Sequence, residues 1–237
     1  MADWRSEEFY KERRDELEKR VGPRRFKHSL GVSETAEALA RVYGADKTAA
    51  RMAGLLHDWD KGYDDPGILA RADELGMELD AELSAMPRVL HGLTAAVALG
   101  RAFPELPPKV LAAVERHTLG AVDMSDLDMI VYIADALEPG RKGKMVQKLR
   151  EKVGELELRD LFLGVYAYWV QLIMERRHPM YSKTTEIWNS YMLPRRGQPR
   201  PGTLRETLAQ RRQRRGELRK GRAETSERSR RTQLLKK

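Results

Sequence analysis

The chain has 237 residues with 44 Lys+Arg and 36 Asp+Glu, a formal net charge of +8, and is long enough for one large domain or two small ones. The charge is uneven: residues 194–237 hold 16 Lys+Arg and 4 Asp+Glu, a net of +12, which leaves −4 on residues 1–193 and excludes a uniformly basic nucleic-acid-binding domain. Cysteine is absent, which excludes disulfides, thiolate nucleophiles and Cys-ligated zinc and fits a reducing compartment.

Residues 1–20 are charged throughout and carry no apolar run of the secretory kind. The best membrane candidate, Leu161 to Met174, has 14 residues, short of the about 20 that span hydrocarbon. A cytoplasmic protein without membrane contact is therefore expected.

Apolar residues recur at intervals of three and four in nearly every segment, and alternation of Val, Ile and Thr is scarce, so an all-α body over residues 1–193 is expected. A first helix is predicted over Ser6 to Arg20, with Phe9, Leu17 and Val21 as its apolar marks and Gly22-Pro23 at its end. A second runs from Arg24 to Tyr43, and Gly44 stands where a left-handed C-terminal cap belongs. The third, Lys47 to Leu56, delivers the dipeptide His57-Asp58, after which Gly62, Asp64, Asp65, Pro66 and Gly67 break regular structure. A short helix over Ile68 to Leu75 precedes one opened by Pro87, with His91 in its first turns.

Lys109 to His117 form the next helix, which ends in Thr118-Leu119-Gly120. Ser125 and Asp128 read as a capping box for a helix through Ile130, Ile133 and Leu137, with Asp135 inside it and Glu138-Pro139-Gly140 as its stop. Leu161 to Met174, apolar on most sides, is expected to be the central core helix. A shorter segment over Thr184 to Tyr191 follows.

Beyond Leu193 the leucines are too sparse to line a core face, so residues 194–237 read as a disordered or binding-coupled basic tail. Two roles stay open for it. One is contact with RNA or the ribosome, which would weaken steeply with salt; the other is a solvated, solubilising extension. The apolar helix faces also leave room for a homodimer.

Four of the five histidines, His28, His57, His91 and His117, lie in or at the end of apolar-periodic helices. A histidine or aspartate facing a core must be paired or ligated, because a bare buried polar group costs about 1 to 3 kcal/mol, and a charge more. Any one of these histidines is compatible with a satisfied structural residue. Together, His28, His57-Asp58 and Asp135 supply two imidazoles and two carboxylates from three helices, a nitrogen and oxygen set that suits iron, manganese, zinc or magnesium. The alternative for Asp135 is a salt bridge to Arg or Lys.

The order H…HD…D on successive helices resembles the HD-domain metal-dependent phosphohydrolase superfamily. More closely, the strings RRFKHSLGVSETAEALARVYG, AGLLHDWDKG, VLHG, VERHTLG and MIVYIADALEPGRK are similar, in order and spacing, to the bacterial symmetrical bis(5′-nucleosyl)-tetraphosphatases of HD type, over about Glu7 to Leu193. That resemblance implies a single all-α HD-domain bundle holding a catalytic divalent metal, often iron. It also implies cleavage of a dinucleoside polyphosphate substrate, diadenosine tetraphosphate, into two molecules of ADP product. Another HD chemistry, or a nucleotide-sensing RNA- or ribosome-associated protein, is the alternative.

Carried onto this sequence, the resemblance makes His28, His57, Asp58 and Asp135 the metal ligands. It places Arg25, Lys61, His91, His117, Thr118 and Arg141 against or near the substrate phosphates, with Asp58, Lys61, His91 and His117 as catalytic residues. His91 and His117 would orient phosphate, give a proton to the leaving ADP or hold a second metal, so one ion or two stays open. The segment Thr184 to Asn189 resembles the piece that closes the family's site. Two departures stand out. Asp60 adds a carboxylate that repels phosphate unless a metal or Lys61 compensates it, and Trp188 stands where a basic residue is expected, with a nucleobase as a stacking partner. His178 reads as a surface residue.

Overall fold

Capping chemistry sets most of the helix boundaries in the computed structural model, which describes residues 2–193. Ser6 accepts the Phe9 N–H at the start of α1 (Glu7–Arg20). Pro23 opens α2 (Pro23–Tyr43), and Gly44 ends it at φ 75°, as the sequence predicts. Asp46 caps α3 (Lys47–Leu56) through the Ala49 N–H. The predicted Ser125–Asp128 capping box is present in both directions at the start of α8 (Asp126–Leu137). The remaining helices are α4 (Asp65–Glu74), α5 (Ala81–Ser84), α6 (His91–Ala102), α7 (Pro108–Arg116), α9 (Lys144–Arg150), α10 (Leu158–Glu175) and α11 (Lys183–Met192). Among the described residues there is no strand.

Two boundaries, the helix count and one packing expectation differ from the sequence reading. Helix α4 begins three residues before Ile68, because the Asp64 carboxylate receives the Gly67 N–H and Pro66 is harmless in a first turn. Pro87 opens only a 3-10 turn, Pro87–Val89, closed by the Leu90 N–H on the Pro87 carbonyl, and regular helix begins at His91 itself. Helices α5 and α9 fall outside the predicted segments; α5 has four residues and buries none, and α9 buries only Val146 and Leu149, too few apolar positions to show a period. Helix α10 is not the central core helix. Only its first half is buried, from Leu158 to Tyr166, and it lies against α8 and α9.

The centre is instead made by α2, α3 and α8, with α7 packed on α3 and α8. A Cβ at Gly54 would lie 2.9 Å from the Ser33 Cα, so the bare glycine lets α3 sit backbone-close on α2. A second aromatic layer, Tyr132, Phe162 and Tyr191, ties α8, α10 and α11 together with ring centroids 5.2 and 5.3 Å apart. Tyr191 fixes α11 further by donating its hydroxyl to the Ala121 carbonyl and accepting the Met124 N–H. No helix is long and apolar enough to cross a membrane among the described residues. The expectations for residues 194–237, disorder and RNA or ribosome contact, lie outside the described residues.

Asp46 joins three segments: its carboxylate receives Arg5 and Lys109, each at 2.7 Å, as well as the Ala49 N–H. Burial alone would raise its pKa, but these bonds outweigh burial and hold it well below the usual carboxylate range. Such a group stabilises the fold fully above its unfolded pKa of about 4, and the contribution is lost as the pH falls through the depressed folded value. Asp46→Ala is expected to lose about 1 kcal/mol through the cap alone, a few degrees of Tm at pH 7. Circular-dichroism melts of both proteins should show that difference shrinking below about pH 4.

Candidate metal centre

Five helices deliver side chains to one point. His28 projects from α2, His57 caps the C-terminal end of α3 with Asp58 next to it, His91 begins α6, His117 caps α7, and Asp135 lies near the end of α8. His57, Asp58, His91 and His117 are buried. The two oxygens of Asp58 face different partners. Its Oδ2 lies 3.3 Å from His57 Nε2 and 3.7 Å from His28 Nε2, while its Oδ1 lies 3.2 Å from His91 Nε2 and 3.9 Å from His117 Nε2. Asp135 Oδ1 completes the first group, 2.9 Å from His28 Nε2 and 3.9 Å from His57 Nε2.

Each imidazole is anchored by its outer nitrogen. Nδ1 meets the Gly54 carbonyl in His57 (2.8 Å), the Arg88 carbonyl in His91 (3.0 Å), the Val114 carbonyl in His117 (2.6 Å) and Glu138 Oε1 in His28 (3.1 Å). Those acceptors place the proton on Nδ1, so all four Nε2 lone pairs point inward. The Nε2 atoms of His28 and His57 are buried and have no hydrogen-bond partner. The Nε2 atoms of His91 and His117 face each other at 3.1 Å, and the single Thr118 hydroxyl, 3.2 and 3.0 Å away, has one proton to give to the two of them.

Inward lone pairs whose imidazoles are oriented by carbonyls and a carboxylate are the arrangement of metal-bound histidine. Combined with two carboxylates and no thiolate, the donor set fits a hard or borderline divalent cation. Two groups have ligand atoms close enough to share an ion: His28, His57 and Asp58, and Asp58, His91 and His117. Asp58 belongs to both.

The electrostatics agree. Burial would raise Asp58, but His57 and His91 beside it pull its pKa well below the usual range. Burial opposes ionisation of Asp135 too, and His28, Arg141 and His57 outweigh it. Burial would lower His57, yet Asp58 and Asp135 raise it, so the first group draws positive charge to this point. Burial lowers His91, and burial with His57 and His91 nearby pushes His117 down to about 3, so the second pair stays neutral.

The cations predicted from the sequence are close by. Arg25 Nη1 reaches Asp58 Oδ2 at 2.7 Å, and Arg141 pairs with Asp135 through Nη2 (2.5 Å) and with its carbonyl through Nε (2.9 Å). The salt bridge weighed as an alternative for Asp135 is therefore present, yet it leaves the His28 and His57 lone pairs facing the same carboxylate. Lys61 Nζ donates to the Arg88 carbonyl at 3.3 Å and lies 3.2 Å from His91 Nδ1. Burial lowers its pKa, with Arg25 and Arg141 adding to the effect and Asp58 opposing it. A cavity of about 940 Å³ opens beside the cluster, lined by Arg24, Arg25, Lys27, His28, Glu138 and Arg141 among others.

The segment from Thr184 to Asn189 sits differently. Thr184 is buried with its carbonyl 3.5 Å from the Tyr166 hydroxyl, and Asn189 is exposed. Trp188 stacks on Tyr166, with centroids 6.4 Å apart and planes at 16°, so one of its faces is already covered by protein. Asp60 is buried against Arg20 (2.9 Å) and Arg71 (3.6 Å), so two arginines rather than Lys61 answer its charge. His178 is exposed, as expected. Two residues escaped the sequence reading. Glu138 looked like part of a helix stop, and Trp169, 5.8 Å from the Arg141 guanidinium, was hidden in an apolar run.

Comparison with known proteins agrees with this geometry. Residues 25–140 match the HD domain model. The symmetrical bis(5′-nucleosyl)-tetraphosphatase of Staphylococcus aureus is 33% identical over 172 residues, 71% of this chain and 87% of that one. Its Bacillus subtilis namesake is 28% identical, over 70% of this chain and 88% of that one. A crystal structure from Clostridium acetobutylicum, described as a predicted HD superfamily hydrolase involved in NAD metabolism, has a TM-score of 0.71 and 35% identity, covering 76% of this chain and 95% of that one. With its histidines and aspartates gathered at one buried point and its relatives matched over most of their length, the chain belongs to the HD-domain family of symmetrical bis(5′-nucleosyl)-tetraphosphatases.

Proposed function

We propose that this centre holds a divalent cation and hydrolyses dinucleoside tetraphosphates, diadenosine tetraphosphate foremost, into two nucleoside diphosphates. The observation that carries the reading is the set of inward Nε2 atoms, two of them buried without a hydrogen bond, around the ionised Asp58 and Asp135. His28, His57, Asp58 and Asp135 would hold one cation. Asp58 Oδ1, His91 and His117 offer a second place, with Asp58 between the two. Iron is the ion the family resemblance implies; the donor set also accepts manganese, zinc or magnesium.

A bound divalent cation supplies Lewis acidity and lowers the pKa of water toward neutrality. Overall, one water adds across the central P–O–P bridge: its oxygen joins one inner phosphorus, the bridging oxygen leaves on the other half, and two diphosphates result. Arg25 and Arg141, both half-exposed beside the cavity, are placed to neutralise charge on the equatorial and leaving oxygens. Lys61, donating to the Arg88 carbonyl beside His91, presents a third cation near Asp58. Thr118 has a hydroxyl between His91 and His117 with which to hold a phosphate oxygen. The cavity along α2, with Arg24, Arg25, Lys27 and Arg141 in its wall, receives one nucleotide half.

Chromatography of products from metal-loaded protein and diadenosine tetraphosphate should give ADP alone. AMP with ATP, or no turnover, overturns the reading. His57→Ala should keep its helical circular-dichroism spectrum, bind less metal and lose more than about 100-fold in kcat/KM; full activity in that variant after metal stripping would contradict a metal-dependent reaction. Lys61→Met should lower kcat by about 100-fold with a smaller change in KM, as measured by steady-state kinetics, since its charge is needed mostly in the transition state.

A further inference from the structure

Three of the four histidines hand their Nδ1 proton to a main-chain carbonyl; His28 alone hands it to a side chain, Glu138 Oε1, at 3.1 Å. Glu138 is the C-terminal cap of α8 and is only 5% exposed. Its other oxygen accepts the Gly140 N–H. Its backbone is pinned as well, with its carbonyl receiving the Arg141 N–H (3.0 Å) and the Arg150 guanidinium, which also holds the Leu137 carbonyl (2.7 Å). Across the interface, α2 presents Gly31, one turn beyond His28, where a Cβ would lie 3.0 Å from Glu138 Oε2. The carboxylate thus occupies a slot that a side chain at position 31 would invade.

We infer that Glu138 is a positioning residue for the metal centre: it fixes the Nδ1–H tautomer and the ring orientation of His28, so that Nε2 stays aimed at Asp135 and Asp58. This rests on the reading of His28 as a metal ligand. Without an acceptor at Nδ1, the ring can turn over and present its N–H inward, where it would block a cation and pair with Asp135 instead. A carboxylate acceptor also polarises the imidazole more strongly than a carbonyl does, which favours donation from Nε2 to a cation. The end of α8 and the turn after it therefore serve the site three times, through Asp135, Glu138 and Arg141, at steps of three residues.

The test is Mn²⁺ binding by equilibrium dialysis of the full chain. Glu138→Ala should weaken binding about 10- to 100-fold, and Glu138→Gln, whose amide oxygen still accepts the Nδ1 proton, should recover most of it. In a His28→Ala background, Glu138→Ala should weaken binding no further, because the ring it orients is gone. Wild-type affinity in Glu138→Ala, beside a loss in His28→Ala, overturns the inference while leaving the metal centre intact. So does an undiminished extra loss in the double variant, which would mark a merely structural role. Unchanged affinity in His28→Ala itself removes the metal-centre reading and this inference with it. Should Glu138→Ala fail to fold, Glu138→Met, which fills the same slot without an acceptor, takes its place, and wild-type affinity there overturns the inference.

Discussion

Two carboxylates, Asp58 and Asp135, converge on the same two imidazoles at the meeting point of the helices, and most of the structure answers the charge they bring. Taking an ionised carboxylate out of water costs several kcal/mol unless charge and hydrogen bonds restore what hydration supplied. Here the compensation comes from two directions. Arg25 and Arg141 approach from the cavity side, and the histidines approach from the interior with lone pairs rather than protons toward the centre. Lone pairs do not neutralise a carboxylate. A cation between them does, and the raised pKa of His57 is the same demand expressed in protons.

The fold reads as a device for holding those groups still. Helices α3 and α7 stop at the site, so the carbonyls of their last turns are free to take the imidazole Nδ1 protons: Gly54 for His57 and Val114 for His117, each three residues back. One turn thus supplies both the imidazole and the group that orients it. The close approach of α3 to α2 at Gly54 brings His57 and His28 within 5.3 Å of each other, centroid to centroid. Asp58, one residue past the cap, then reaches both pairs of imidazoles with its two oxygens.

Local chemistry made much of this legible in the sequence. Ser6, Pro23, Gly44 and the Ser125–Asp128 pair act within a few residues, and a reader can place them without tertiary knowledge. The cluster of histidines and aspartates was legible for a different reason: such residues on apolar faces are anomalies that call for a partner. What stayed hidden depends on contacts far apart in the chain. Asp60 looked like a hazard to phosphate until Arg20 and Arg71 were seen to close over it, and Glu138 looked like punctuation until α2 brought His28 to it across 110 residues. Helix α10 misled through composition: its first half is buried in the core, but no residue beyond Tyr166 is fully buried, and the centre belongs to α2, α3 and α8.

Charge at two length scales separates attraction from chemistry. Residues 1–193 carry a net −4, so the body as a whole does not draw a polyanion toward itself. Around the centre the balance is local: the carboxylates of Asp58, Asp135 and Glu138 stand against Arg25, Lys61 and Arg141, a near-neutral group before any metal enters. A divalent cation tips that group positive, and Arg24 and Lys27 extend the positive wall along the cavity. On the proposed reading, a bound cation would add positive charge to this self-compensated cluster, and Arg25 and Arg141, already beside the cavity, would face the substrate's oxygens.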